Sequence, residues 1–240
     1  ACVLLLVGLG AWAASRWLSR AWPVVPRVTA LEWQLAGARA DHALRLRMPD
    51  GAELATSVYL PAGTTRDLPT VLVRLPYGRL EYAEVGQALS LFLTRGYAVV
   101  VQDVRGKYDS TGRFLPWEHG GDDGRATLDW IVRQPWSNGR VGGWGCSALG
   151  ELQYALGVTG HPAWRAMVPS GAGGALGFAP GRQEVVSYFE GGIFELAQGV
   201  GWLSRYGSGP RPIYLPAGGA PPDLRSFPLS TMATRAGFPA

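Results

Sequence analysis

A serine with small neighbours follows an apolar stretch near the middle of the chain. Positions 145–150 read Gly-Cys-Ser-Ala-Leu-Gly, directly after Val-Gly-Gly-Trp. This pattern is typical of a strand that turns sharply into a helix and presents a nucleophilic serine at the turn. The turn needs small residues because strand and helix pack closely there, and Gly145 and Gly150 supply that room. Ser147 is therefore a candidate nucleophile.

The thiol next to this serine is the other candidate nucleophile. Cys146 has the bulky Trp144 two residues before it, whereas Ser147 has Gly145 in that place. A bulky side chain does not suit the turn, so the geometry favours the serine. Cys146 is expected to be a small buried residue behind the turn.

Apolar segments on both sides of the serine predict the elements that hold it. The predicted strands are residues 70–74, 99–101, 141–144 and 166–169, and the predicted helices are residues 82–95, 122–134 and 149–158. Strands and helices that alternate in this way form a mainly parallel sheet with flanking helices. Ser147 then lies at the carboxyl end of a strand, where such sheets place their functional sites.

Five short motifs occur in an order that resembles a known family. They are Met-Pro-Asp-Gly at 48–51, Arg-Leu-Pro-Tyr-Gly at 74–78, Gly-Tyr-Ala-Val-Val-Val-Gln-Asp-Val-Arg-Gly at 96–106, Gln-Pro-Trp-Ser-Asn-Gly at 134–139 and the serine motif. From about residue 43 onward the chain resembles the X-Pro dipeptidyl-peptidase-like serine hydrolases, which include cocaine esterase and the α-amino-acid ester hydrolases. The resemblance implies an α/β-hydrolase core, an inserted helical cap and a C-terminal β-sandwich domain.

The resemblance also implies two donors for the oxyanion that forms during acyl transfer. One is the backbone N–H of Ala148, a position where the family usually has tyrosine. The other is the phenol of Tyr77, which replaces the backbone donor of many hydrolases. The residues alone favour a turn with a packed aromatic ring at Pro-Tyr-Gly 76–78, so the donor role rests on the resemblance.

The acid and the base of a catalytic triad are not found after the serine, where this fold places them. His161 follows a predicted helix that carries it roughly 15 Å from Ser147 at about 1.5 Å per residue, and we expect it on a surface loop. Asp223 has no histidine beyond it, and His42 and His119 precede the serine and are interpreted as structural or solvated. We therefore expect a fragment that holds the nucleophile half of a longer serine hydrolase and is itself inactive. The alternative is a non-catalytic α/β-hydrolase-like binding protein or a decayed fragment.

The predicted domains are residues 1–22, 30–170 and 171–240. The second is the first part of the hydrolase core, and the third is the start of the helical cap, with helical spacing over 185–203. In the family such helices roof the acyl pocket, which would place Phe189, Phe194 and Trp202 in it. The alternative is that these aromatic residues form the ordinary core of a helix pair.

The first 22 residues predict a targeting segment. An apolar run over 3–14 is shorter than the roughly 20 residues of a spanning helix, and the small residues at 11–14 suit signal cleavage. A secreted or periplasmic protein is the first interpretation, and an anchor that associates with the membrane through residues 1–20 is the second. A buried first helix remains the third.

Charge and composition narrow the class of partner. The formal net charge is +4, and Arg16, Arg20 and Arg27 contribute three of these charges, so the folded part lacks the basic excess of a nucleic-acid-binding protein. No metal-ligand spacing and no phosphate-binding glycine loop occurs, so we predict no cofactor. The family resemblance implies a small-molecule ester or amide substrate. Asp103 and Arg105 are expected to pair with each other, and Lys107 is the only lysine.

Overall fold

A six-stranded sheet with helices on both faces forms the core of the protein. The computed structural model describes residues 40–63, 65–115, 118–173, 176–179, 182–185, 189–190, 193–194, 199, 202, 205–207 and 209–212. The strands of the sheet are β1 (His42–Arg47), β2 (Glu53–Tyr59), β3 (Leu68–Leu75), β4 (Ala98–Asp103), β5 (Ser137–Cys146) and β6 (Trp164–Ser170). The helices are α1 (Ala83–Leu93), α2 (Gly120–Ile131) and α3 (Ala148–Gly157).

The order of the strands confirms the α/β-hydrolase core. The sheet runs β1-β2-β4-β3-β5-β6, and β4, β3, β5 and β6 are parallel to their neighbours in that series. Strands β1 and β2 pair antiparallel with each other, and β2 pairs antiparallel with β4. The sequence interpretation had not predicted these first two strands. The four parallel strands and all three helices lie where the apolar pattern placed them.

Successive side chains of the central strands belong to two different apolar clusters, one on each face of the sheet. On β3, Leu72 contributes to the cluster that contains Leu128 of α2, whereas Val73 contributes to the cluster that contains Leu89 of α1. Strand β4 alternates in the same way with Val100 and Val101. Successive side chains of a strand point to opposite faces, so an unbroken valine run serves a sheet that is covered on both sides.

Strand β6 forms an edge of the sheet in the described residues. Met167 is 40% exposed and Val168 is 54% exposed. The apolar pattern predicted a buried strand here, and the strand is present although these side chains are not buried. Among the described residues β6 pairs only with β5, so one side of the strand has no neighbour.

The region after the sheet contains short strands where the sequence predicted a helix. Strands β7 (Leu176–Ala179) and β8 (Arg182–Val185) pair antiparallel, and so do β9 (Phe189–Glu190) and β10 (Ile193–Phe194). The helical prediction over 185–203 is therefore wrong for 189–190 and 193–194. The sequence between β9 and β10 is Gly-Gly, a poor helix former, and it outweighs the helical spacing of the apolar residues.

Two predictions cannot be placed on this fold. The targeting segment at 1–22 lies outside the described residues, and so do the side chains of Phe189 and Phe194. Within the part of the chain that the structure describes, no helix is both long and apolar enough to span a bilayer.

Candidate active site

Ser147 occupies the tight turn between β5 and α3. Its backbone has φ 55° and ψ −126°, a conformation that costs a non-glycine residue about 1–3 kcal/mol. The Ser147 N–H donates to the Ser170 carbonyl of β6 at 2.8 Å, and the Ser147 carbonyl accepts from the Gly150 N–H at 2.8 Å. The turn is therefore held on both sides, and the serine side chain is exposed.

The two glycines of the motif are required by close packing. A Cβ on Gly145 would lie 2.5 Å from the Leu149 Cβ, and Gly145 has φ 143°. A Cβ on Gly150 would lie 2.6 Å from the Ala172 Cβ. Both distances are far below ordinary contact, so these side chains must be absent. At Gly145 the structure confirms the close packing of strand and helix, and at Gly150 the close neighbour of the helix is the segment after β6.

The residues that follow the serine begin α3 and are buried. Leu149 is 1% exposed and belongs to the apolar cluster on the α1 face, which explains why a leucine fits at this position. Ala148 is the first residue of the helix, so no helical carbonyl four residues earlier accepts its N–H. That N–H is therefore available to an oxyanion beside Ser147, and the small side chain of Ala148 leaves it unchanged.

Tyr77 follows β3 and meets Ser147 through its hydroxyl. The Trp202 indole Nε1–H donates to the Tyr77 hydroxyl oxygen at 3.2 Å. Burial raises the pKa of the Tyr77 phenol, and its side-chain hydrogen bonds with Trp202 and Ser147 oppose that rise. The phenol is thus a neutral donor at pH 7. The structure brings together Tyr77, Ser147 and Ala148, three residues that the sequence proposed for one site.

The acyl-pocket role expected of Trp202 stays a prediction, and the residue lies beside the serine turn. It lines a cavity of about 30 Å³ together with Ala148, Leu152 and Phe114. Its ring lies 6.1 Å from the Phe114 ring and 5.3 Å from the Tyr206 ring, between centroids. This volume holds a water molecule or two rather than an acyl chain.

His161 is buried, which corrects the expectation of a surface loop. Its Nδ1 accepts from the Ala163 N–H at 3.1 Å, and its Nε2 lies 3.1 Å from the Asp129 Oδ1. These two contacts fix the loop after α3 to α2. His161 therefore serves the packing of two helices, and the length of α3 separates it from Ser147.

The other histidines do not contact the serine through any hydrogen bond in the described residues. His42 is exposed on β1, at the opposite edge of the sheet from β6. His119 directly precedes α2 and lines the cavity beside Ala148. We found no histidine base paired with Ser147 in the described part of the chain.

The expected pair between Asp103 and Arg105 is wrong. Asp103 is fully buried and pairs with Arg79 at 2.5 Å, and it also accepts from the Arg79 backbone N–H at 2.6 Å. Arg105 instead contacts Asp123 at 2.6 Å and Asp50 at 2.5 Å. Two residues that are two positions apart at the end of a strand need not face each other. Asp103 and Arg105 therefore pair with residues from other parts of the chain.

These ion pairs explain why the motifs occur together. Asp50 lies in the Met-Pro-Asp-Gly motif and Arg105 in the motif that ends β4, so one contact joins the two. Burial raises the pKa of Asp103 to about 6, while its hydrogen bonds with Arg79 act in the opposite direction. The pairs fix the loops after β3 and β4, and Tyr77 lies on the first of them.

Two further residues of the site were missed by sequence reasoning. Glu84 of α1 accepts from the Cys146 N–H at 3.2 Å, directly before the serine. Lys107 is 1% exposed and donates to the carbonyls of Tyr206 and Gly209. No local spacing marks either residue, although Lys107 stood out as the only lysine. Cys146 is half-buried, so its expected burial is only partial.

Comparison with known families decides the assignment. The sequence profile of the X-Pro dipeptidyl-peptidase family (S15) matches residues 50–212, which include the serine turn and Tyr77. The chain belongs to this family. All five motifs of the sequence resemblance lie in or overlap the matched range.

Individual S15 relatives and solved structures agree with the assignment. Cocaine esterase of Rhodococcus sp. (strain MB1 Bresler) is 36% identical over 165 residues, which are 68% of this chain and 28% of the esterase. The crystal structure of an α-amino acid ester hydrolase matches with a TM-score of 0.64 at 26% identity, covering 90% of this chain and 38% of that protein.

An aminopeptidase from a marine sediment Thaumarchaeota archaeon shares the fold. It matches with a TM-score of 0.58 at 24% identity, covering 75% of this chain and 33% of that one. The chain therefore spans between about a quarter and two fifths of the length of these three proteins.

Proposed function

We propose that the full-length protein is a serine hydrolase that cleaves an ester or amide bond of a small molecule through an acyl-enzyme. Ser147 is the nucleophile, and the Tyr77 hydroxyl and the Ala148 N–H stabilise the oxyanion. The observation that carries the proposal is the strained backbone of Ser147 at the end of β5, with the Tyr77 phenol near enough to Ser147 for the serine to affect its pKa. A non-glycine residue keeps such a conformation only where the surrounding structure enforces it.

The reaction begins with attack of the Ser147 Oγ on the carbonyl carbon of the substrate. The proton of the hydroxyl passes to a histidine base, and the carbonyl oxygen becomes the oxyanion. Collapse of this intermediate expels the alcohol or amine, which takes the proton from the base. Water then attacks the acyl-enzyme and releases the acid, and Ser147 recovers its proton.

The oxyanion site is supported by the orientation of the Tyr77 hydroxyl. The Trp202 N–H occupies one acceptor position of the phenol oxygen, so the single phenol proton is left to point toward Ser147. In the free enzyme the phenol proton points toward Ser147, and in the tetrahedral intermediate the phenol donates it in a hydrogen bond to the oxyanion. Because the donor is already oriented, little reorganisation is needed during the reaction.

The base and its acid partner are proposed to lie in the parent protein outside these 240 residues. In α/β-hydrolases the acid and the histidine follow the serine in the chain. The relatives that match this chain are about two and a half times its length. The open side of β6 is a place where a further strand could bring such residues beside Ser147. The same parent is proposed to be secreted or membrane-anchored through residues 1–22.

Hydrolysis by the full-length protein tests the function. We expect release of nitrophenol from p-nitrophenyl acetate or butyrate, and loss of at least about 1,000-fold in kcat/KM in Ser147→Ala, as for other triad nucleophiles. Cys146→Ala is the matched control, and it should retain activity because the thiol is not the nucleophile. Equal loss in the control, or an unaffected serine variant, would contradict the assignment of the nucleophile.

A further inference from the structure

Glu84, in the first turn of α1, contacts a neighbour of each part of the candidate oxyanion site. Its Oε2 accepts from the Cys146 N–H at 3.2 Å, and its Oε1 accepts from the Tyr82 hydroxyl at 3.2 Å. Cys146 directly precedes Ser147, and the Tyr82 ring packs on the Tyr77 ring at 4.8 Å between centroids. One half-buried carboxylate thus connects the backbone of the nucleophile with the ring of the second donor.

The Cys146 N–H needs this acceptor because of how β5 ends. Successive residues of a strand direct their N–H groups to opposite sides. The Ser147 N–H bonds to the Ser170 carbonyl of β6, so the Cys146 N–H faces the side of β3. Pairing between β3 and β5 stops at Leu72 and Gly143, three residues earlier. Glu84 therefore supplies the acceptor that β3 no longer provides at Cys146.

The other oxygen of Glu84, Oε1, accepts from the hydroxyl of Tyr82, whose ring packs on the Tyr77 ring. Burial, and after it the negative charge of Glu84, raise the pKa of the Tyr82 phenol, so Tyr82 stays protonated and donates to the carboxylate. With its hydroxyl fixed, the Tyr82 ring presents one face to Tyr77. Tyr206 packs edge-on to Tyr77 at 5.0 Å, and the ring of Tyr77 is therefore held between two others.

The first turn of α1 suits this carboxylate. Glu84 is the acidic residue of that turn, and no side chain caps the helix at Tyr82. The positive end of the helix dipole favours a negative charge there. The carboxylate is thus held where it can reach β5 and Tyr82 together.

We propose that Glu84 is a positioning residue that sets the spacing between the Tyr77 hydroxyl and the Ser147–Ala148 backbone. The inference rests on the proposed function, because that spacing matters only if an oxyanion forms between the two donors. Glu84 acts through Tyr82 and Cys146 and does not touch the reacting atoms.

The kinetic test uses the full-length protein with Glu84→Ala, Glu84→Gln and p-nitrophenyl acetate. We expect kcat to fall about 10- to 100-fold in the alanine variant with KM nearly unchanged, because only transition-state contacts are lost. The glutamine variant keeps a carbonyl acceptor and should recover most of that loss. Glu118→Ala removes an exposed carboxylate elsewhere and should leave kcat unchanged.

A double variant separates positioning from a general loss of stability. If Glu84 acts through the oxyanion site, Tyr77→Phe with Glu84→Ala should lose little more activity than Tyr77→Phe alone. Independent, multiplied losses would contradict the inference, and so would losses that follow the fall in Tm alone.

Hydrogen exchange gives a readout that does not depend on turnover. The Cys146 amide should exchange faster in Glu84→Ala than in the wild type, and the Ser147 amide, bonded to Ser170, should not change. Unchanged exchange at Cys146 would overturn the positioning contact while the function stands. A wild-type protein that is folded and hydrolyses nothing would overturn the proposed function, and the inference with it.

Discussion

At the residue scale, the hydroxyl of Tyr77 meets two groups of different hydrogen-bonding character. Trp202 can only donate to it, whereas Ser147 can both donate and accept. The Trp202 contact therefore leaves the phenol proton free to be directed toward Ser147. Because burial keeps the phenol neutral, the proton is present throughout the pH range in which a histidine base works.

Removal of this hydroxyl tests the oxyanion role directly. In Tyr77→Phe of the full-length protein we expect kcat to fall about 100- to 1,000-fold, the usual effect of losing one oxyanion donor. KM should change little, because the ground-state carbonyl gains less from the donor than the oxyanion does. Trp202→Phe keeps the Tyr77 hydroxyl but not its orienting donor, so a smaller loss is expected. An unchanged kcat in Tyr77→Phe would contradict the role.

The local features of this site could be predicted from sequence, and the long-range contacts could not. The requirement for glycine at 145 follows from the sterics of one turn, because its close neighbour Leu149 is only four positions away. The pairing of Asp103 with Arg79 depends on where the loops after β3 and β4 meet. The predicted pair of Asp103 with Arg105 was wrong because it was based only on their closeness in sequence. Glu84 was missed for the same reason, since its partner is 62 residues away.

At the element scale, the loop after β4 docks the segment around 202–212 against the core. The Tyr108 N–H donates to the Pro210 carbonyl at 2.8 Å. The Lys107 ammonium donates to the Gly209 carbonyl at 2.9 Å and lies 4.3 Å from the Phe114 ring centroid. This buried charge is held by carbonyls and a ring, and burial lowers its pKa to about 8. The docked segment carries Trp202, which orients Tyr77.

The lowered pKa of Lys107 predicts how stability depends on pH. Between pH 8 and the ordinary lysine pKa near 10.5, the unfolded chain holds this proton more tightly than the folded chain does. Stability contributed by this group therefore rises with pH through that window, by at most about 1.4 kcal/mol per pH unit for one proton. Lys107→Met lacks the proton and should not show the rise.

The measurement is urea unfolding of the wild type and Lys107→Met across pH 7–10, followed by tryptophan fluorescence. The difference between the two free energies of unfolding removes the other titrating groups, including the tyrosines whose pKa burial raises. We expect the free energy of unfolding of the wild type to increase relative to that of Lys107→Met as the pH rises above 8. A difference that is flat with pH would contradict the burial of a charged lysine.

At the scale of the whole molecule, the described elements supply the nucleophile and the oxyanion donors of the candidate site and no histidine base paired with them. In the described residues, β5, β6 and α3 hold the backbone of Ser147 and Ala148, and Tyr77 follows β3 and contacts Tyr82, Trp202 and Tyr206. Matching relatives are much longer, and β6 leaves one side of the sheet unpaired in the described residues. This arrangement agrees with a parent protein that supplies the histidine and its acid from other elements.

The fold was largely predictable because the central strands carry unbroken apolar runs. Residues 99–101 are all valine and fully buried, and such a run has few alternatives to a covered parallel strand. Strands β1 and β2 were not predicted, because β1 mixes leucine with arginine and lacks such a run. The short strands at 189–190 and 193–194 were predicted as helix, since helical spacing of aromatic residues carried more weight than the glycine pair between them.

The most direct test of the central claim is active-site labelling of the full-length protein with a fluorophosphonate, followed by peptide mass spectrometry. This reagent reacts with a serine only when a base and an oxyanion site activate it. The account predicts one adduct, on the peptide that contains Ser147, and its loss in Ser147→Ala. An adduct on another serine, or a folded protein that takes up no label, would contradict it.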